Sequence, residues 1–256
     1  MKKFFLMLVL LISTIGMAQP SNINSGEVLR YRVHYGIINA GTATLTATRT
    51  TYAGQPHLYV RGNGQTTGAL KAFFRVNDIY ESYINLNTGL PSFYVRNVSE
   101  GTYTQNLSAK FNQKANTVML VDRKHPGAPI QNISIPARMQ DMLSAFYYLR
   151  SLDPNQLRVG NVIRMNVWID DNYFPFALRV AGTEVRETKF GKVNALKIVP
   201  TVLGGRVFKN NESVTMWVTN DINHVPVEIR AELRVGALTA SLDSYAQLRA
   251  PIQFFR

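Results

Sequence analysis

The stretch from Gly26 to Tyr35, GEVLRYRVHY, alternates with period two: Leu29, Tyr31, Val33 and Tyr35 are apolar, and Arg30, Arg32 and His34 share the other phase. Such alternation predicts a half-buried β-strand. Similar runs cover 41–50, 56–66, 73–85, 91–99, 102–111 and 117–122, then 161–170, 174–180, 183–190, 192–202, 212–219, 225–234 and 237–248. Turn signals separate them, among them Ala53-Gly54-Gln55, Asn87-Thr88-Gly89 and Gly204-Gly205. Many short strands with close turns predict a mostly antiparallel sheet. One stretch breaks the period. Met139, Met142, Leu143, Phe146 and Leu149 follow helical spacing, with Asp141 as the N-cap and Asp153-Pro154 as the stop, which predicts an amphipathic helix over 139–151.

The segments flanking that helix resemble each other. GEVLRYRVHY recurs as GNVIRMNVWI at 160–169, and Ala40-Gly41-Thr42 recurs as Ala181-Gly182-Thr183. Pro91, Gly101 and Leu107 keep the spacing of Pro226, Gly236 and Leu242. Motifs in register over so long a span predict an internal repeat. The expected fold is mainly β: antiparallel sheets from two similar halves forming a barrel, half-barrel or sandwich, with one amphipathic helix between them, packed at a mouth or edge. The divisions are 1–18, 19–135 (first β half), 136–158 (helix and linker) and 159–256 (second β half).

Residues 1–18 read as a signal peptide. Lys2 and Lys3 precede an apolar run from Phe4 to Ile12, and Gly16-Met17-Ala18 supplies a small-x-small cleavage site before Gln19. The expected location is the periplasm or the secreted fraction, with no transmembrane segment. The chain has no cysteine, so no disulfide framework holds it and stability must come from burial. It carries 28 Lys and Arg against 16 Asp and Glu, a net charge of +12 that includes Lys2 and Lys3. In an exported protein this surplus points away from nucleic acid and toward anionic lipid or glycan, with peripheral membrane contact compatible. Oligomeric state is left open.

Catalytic signatures are few. The sequence has no G-x-S-x-G, no H-E-x-x-H and no P-loop, and its histidines, at 34, 57, 125 and 224, lack ligand spacing. Gly62, Gly64 and Gly68 only imitate a dinucleotide loop, and Asp170-Asp171-Asn172 reads as a turn. No catalytic residue, metal or cofactor is assigned. Asp78 and Asp141 are the carboxylates that an envelope hydrolase would use. The repeat sharpens the choice of ligand residues: Arg30 recurs as Arg164, which marks both as structural ion-pair or rim residues. Arg32 and His34 are replaced by Asn166 and Trp168, so a site peculiar to the first half is sought at Arg32 and His34, and the candidate ligand-binding residues are Arg32, His34, Trp168, Arg30 and Arg164.

The opening GE-x-L-x-Y-x-V-x-YG-x-x-x-AG-x-A-x-L, Gly26 to Leu45, resembles the start of the bacterial exported family known as domain of unknown function 3108. The resemblance continues through VNDIYESYINLNTGLPSFYVRNVSEG, DMLSAFYYLR and WVTNDINHVPVEIRAELRVGALTASL. It implies a periplasmic or secreted β-rich protein of Gram-negative bacteria, and it carries over no assigned catalytic residues. A weaker similarity, to periplasmic lipoprotein carriers and related half-barrels, concerns the fold. The expected function is a non-enzymatic binding or envelope-maintenance role with a lipidic or anionic glycan ligand. An envelope glycan or lipid hydrolase, or a structural module, is the alternative.

Overall fold

The computed structural model describes residues 23–68, 70–202, 214–233 and 235–256. The segment read as a signal peptide, 1–18, and the turn expected at Gly204-Gly205 lie outside them. Among the described residues fifteen strands form one sheet, in the order β8-β7-β6-β5-β4-β3-β2-β1-β15-β14-β13-β12-β11-β10-β9. Strands β1 (Glu27–Tyr35), β2 (Ile38–Tyr52), β3 (Gln55–Thr66), β4 (Asn77–Asn85), β5 (Pro91–Glu100) and β6 (Tyr103–Asn112) make one antiparallel meander. β10 (Val162–Ile169), β11 (Asn172–Thr188), β12 (Gly191–Val202), β13 (Val214–Thr219), β14 (Pro226–Glu232) and β15 (Ala237–Ala246) make a second. β1 and β15 pair antiparallel and join the two. β7 (Thr117–Asp122) and β8 (Gln131–Ser134) extend the first meander, and β9 (Met139–Asp141) pairs with β10 in parallel. The sheet does not close: its outermost strands, β8 and β9, are neighbours in sequence but not in pairing.

The recurring sequence motifs are backbone devices at equivalent places. Gly26 and Gly160 both have positive φ, and their N–H groups donate to Ala47 O and Val180 O, each fixing the entry to a meander. The Ala-Gly pairs mark β-bulges. Val33 pairs with Gly41 and His34 with Asn39, leaving Ala40 as the extra residue; Val180 pairs with Ile198 and Gly182 with Lys197, leaving Ala181. Pro91 and Pro226 each open a strand and precede a bulge, at Ser92 and Val227. A proline at the first strand position removes no needed donor.

Among the described residues two helices are present where one was expected. α1 (Leu70–Phe73) is a single turn that ends where the run read as a strand, 73–85, begins. The 174–180 and 183–190 runs form one strand, β11, because the bulge at Ala181 bends it without ending it. α2 (Met142–Ser151) starts where its cap predicts, and Met139, assigned to its apolar stripe, lies instead on β9. Asp141 accepts from Ser144 N at 2.8 Å, and Ser144 Oγ accepts from Asp141 N at 2.7 Å, a complete capping box. Ser82 Oγ on β4 donates to Asp141 Oδ2 at 2.6 Å, fixing the helix start to the first meander.

α2 lies on the concave side, against β3 and β4 of the first meander and against β10 and the sheet's outermost strand, β9. Leu143 and Tyr147 join Leu58, Val60 and Ile84 of the first meander, while Leu149 and Leu152 join Val180, Leu196, Ile198 and Val218 of the second. Met142, assigned to the apolar stripe, is exposed, and Tyr147 and Arg150 are buried instead. Arg150 donates from Nη1 and Nη2 to Glu27 Oε1 and Oε2 at 2.5 and 2.8 Å, and from Nε to Asn223 O at 3.2 Å. Its guanidinium lies 5.3 Å from the centre of the Tyr147 ring. Burial alone would lower the pKa of Arg150, but the hydrogen bonds and charge of Glu27 outweigh it and hold the pKa above the usual value. One buried bidentate pair thus ties β1, α2 and the β13–β14 turn together.

Candidate functional site

The sequence-predicted residues separate in space. Trp168 is fully buried, packing edge-on to Phe111 at 6.4 Å among Tyr94, Leu107, Val118 and Met139. It is core, not a ligand residue, because the first meander curls over this end of β10 and buries both faces of the strand. Arg30 and Arg164 are exposed, and no described carboxylate lies within ion-pair distance of either, so the structural-pair reading fails for both. Arg164 borders a depression of about 160 Å³ with Arg138, Gln140, Tyr148 and Asn166. Arg32 and His34 remain together.

The ladder explains what surrounds them. Arg32 pairs with Ser241, Ser241 with Glu228, Glu228 with Trp217 and Trp217 with Lys197, so β1, β15, β14, β13 and β12 contribute one residue each to a single row. Directly opposed residues share a face. Alternate positions, such as Leu196, Ile198 and Val218, point to α2, so the row lies on the face away from the helix. His34 follows Arg32 on that face, with Nε2 3.3 Å from Ser241 Oγ and Nδ1 2.9 Å from Gly36 O.

A groove of about 260 Å³ opens along this row, bordered by Arg32, Arg186, Lys189, Glu228, Ser241 and Asp243. Most of its charges are matched. Arg186 Nη2 donates to Glu228 Oε1 at 2.8 Å, its guanidinium sits 4.3 Å over the Trp217 ring, and Lys189 Nζ donates to Asp243 Oδ1 at 2.7 Å. Partial burial disfavours the ionised form of Glu184, but the Trp217 indole N–H at 2.7 Å, Lys197 and Arg186 outweigh it and hold the carboxyl below its usual range. Two donors are left over. Arg186 Nε is buried without a partner, and no described carboxylate lies within ion-pair distance of Arg32. Both residues border the groove.

Arg186, Lys189, Trp217, Glu228 and Ser241 escape the sequence reading. Their signal was the run Glu184, Arg186, Thr188, polar at every second position of a strand otherwise treated as scaffold. A broader depression of about 480 Å³ lies on the first meander beside Leu90, Phe111, Lys110 and Lys114. Gln113, in its wall, donates to Pro91 O and Met139 O and so braces the backbone there.

The carboxylates considered for hydrolysis serve the fold. Asp141 caps α2 from a fully buried position, and burial pushes its pKa up to about 6 although Ser82 and Ser144 hydrogen-bond the charged form. Asp78 accepts from Ser99 N at 3.0 Å, bracing β4 to β5. His57 is a buried histidine between Gln55 O and Ser92 Oγ, at 2.9 and 2.8 Å. Among the described residues, no group of three or more His, Asp or Glu could hold a metal ion.

Fold and groove together define a β-barrel-like protein: an open single sheet, filled on its concave side by a helix, with a charged groove outside. The model of the family described as "Protein of unknown function (DUF3108)" matches residues 30–243. The chain belongs to that family. Its fold is similar to the crystal structure of a β-barrel-like protein of domain of unknown function DUF1849 from Brucella abortus. That match covers 86% of this chain and 97% of the other at 8% identity, with a TM-score of 0.55. Among curated proteins, none matches the chain.

Proposed function

We propose that this chain is an exported, non-catalytic binding protein of the bacterial envelope, whose ligand presents a phosphate or carboxylate from a glycan or a lipid headgroup. Its place in the periplasm is proposed from the signal segment at 1–18 and the basic surplus. The observation that carries the reading is the pair of donors left over in the groove, Arg32 and Arg186 Nε. The concave side, where a lipid carrier would hold acyl chains, is occupied here by α2 and its packed neighbours. Ligand binding is therefore assigned to the opposite face.

Titration calorimetry tests this, with glucose 6-phosphate, glucuronate and glycerol 3-phosphate as probes that separate glycan from headgroup chemistry. Binding that weakens with added salt and is lost in Arg32→Ala supports the proposal. No heat with any probe, or equal binding by Arg32→Ala, overturns it.

A further inference from the structure

Four connections stand side by side at one end of the sheet. Tyr35 pairs with both Ile38 and Leu238, which puts the β1–β2 turn beside the β14–β15 turn. Thr67 N donates to Ala40 O, bringing the β3–β4 connection next to them, and Gly101 N donates to Arg75 O, adding the β5–β6 turn. Two strand spacings separate neighbouring turns, so the tips are about 10 Å apart.

Each tip ends in apolar side chains: Leu233 and Val235, Ile37 beside Ile38, Phe73 and Phe74, then Tyr103. Ile37, Phe73 and Val235 are 104%, 85% and 74% exposed. The tips are braced outward. Tyr35 lies over Gly236 and donates from its hydroxyl to Val235 O at 2.8 Å, and Phe74 lies over Gly101, where a Cβ would come within 2.9 Å of its ring. Both glycines have positive φ, which keeps the turns tight without a side chain.

The charge around the tips is positive. Residues 67–76 contain Lys71 and Arg75 and no acidic residue, and the next loop along adds Arg123 and Lys124. Of the acidic neighbours, Glu232 is held by Arg230 at 2.7 Å and Asp122 by His125 at 2.8 Å. Glu100 lies against Asp78, and burial and Asp78 raise its pKa.

We infer that this rim docks on an anionic lipid bilayer, with Ile37, Phe73 and Val235 entering the interface and Lys71 and Arg75 meeting headgroup phosphates. Separate protruding tips give a protein partner little continuous area to cover, whereas each can enter a fluid interface on its own. Basic residues beside them add attraction to anionic headgroups. The inference does not depend on the groove.

Co-sedimentation with phosphatidylcholine vesicles, with and without phosphatidylglycerol, tests it. Wild-type protein binds the anionic vesicles, more weakly as salt is added. The variant Ile37→Ser/Phe73→Ser/Val235→Ser binds them roughly tenfold or more weakly. Its melting temperature and its titration with glucose 6-phosphate do not change, so rim and groove fail separately. Indole fluorescence added by Ile37→Trp shifts to the blue on anionic vesicles. Failure of the wild type to bind, undiminished binding by the triple variant, or an unshifted added indole overturns the inference. So does a dimer in solution that the triple variant dissolves, since the rim would then serve a second copy of this chain.

Discussion

Arg150→Met removes the guanidinium at the centre of the fold and leaves the Glu27 carboxylate, also 1% exposed, facing a methionine. Two charge-assisted hydrogen bonds vanish, at 2.5 and 2.8 Å, together with the contact to Asn223 O. Breaking a buried ion pair from one side costs about 3–5 kcal/mol, chiefly because the surviving charge stays desolvated. That is a large part of the ~5–15 kcal/mol that holds a typical domain folded. Urea denaturation should show the midpoint falling with little change in slope. The double variant Glu27→Leu/Arg150→Met should recover most of the loss, because no buried charge is then left alone. A single-variant cost below about 1 kcal/mol, or a double variant less stable than both singles, would refute the keystone role given to this pair.

Three further predictions use the same denaturation assay. A Cβ on Gly41 would lie 2.3 Å from Gln65 O, whereas one on Gly182 would meet nothing within 4 Å. Gly41→Ala should therefore cost about 1–3 kcal/mol through forced backbone separation, and Gly182→Ala should stay within about 0.5 kcal/mol of wild type. The pKa of Asp141 is raised from 3.8 to about 6, so between these values the folded chain binds the extra proton and stability falls as pH rises. Asp141→Asn, which still caps the helix, should remove that slope of about 2–3 kcal/mol overall. His224, its pKa lowered by burial from 6.5, acts with opposite sign: stability drops as pH falls below 6.5, and His224→Gln should flatten that arm.

The fold was legible wherever one local signal sufficed. Alternation located nearly every strand, the Asp141 box located α2, and the recurring glycines, alanines and prolines turned out to be shared turns and bulges. Missed were β8 and β9, four and three residues long, and α1, a single turn, since none is long enough to express a period. Trp168 was misplaced because alternation reports only which residues share a face, and here both faces of the strand are covered by elements far away in sequence. The groove was half legible for the same reason: Arg32 and His34 belong to one strand, but Glu228, Trp217 and Arg186 reach them only through register across the sheet.

The residues hardest to see were written in the pattern itself. Glu27 falls in phase with Leu29 and Tyr31, and Arg150 is in helical phase with Leu143 and Tyr147. A charge in the apolar phase of an otherwise clean element breaks the local pattern, and burial makes such a break costly unless a partner of opposite sign arrives from elsewhere. Two such breaks of opposite sign, one on a strand and one on the helix between the halves, are what a contact between those elements requires. Here they meet, and the pair ties the helix to β1 on the concave face. With the inside filled in this way, the exposed chemistry of the molecule divides between a polar groove on the opposite face and an apolar, basic rim at the strand ends. The two surfaces differ in the side chains they present, and for that reason separate substitutions can silence each one alone.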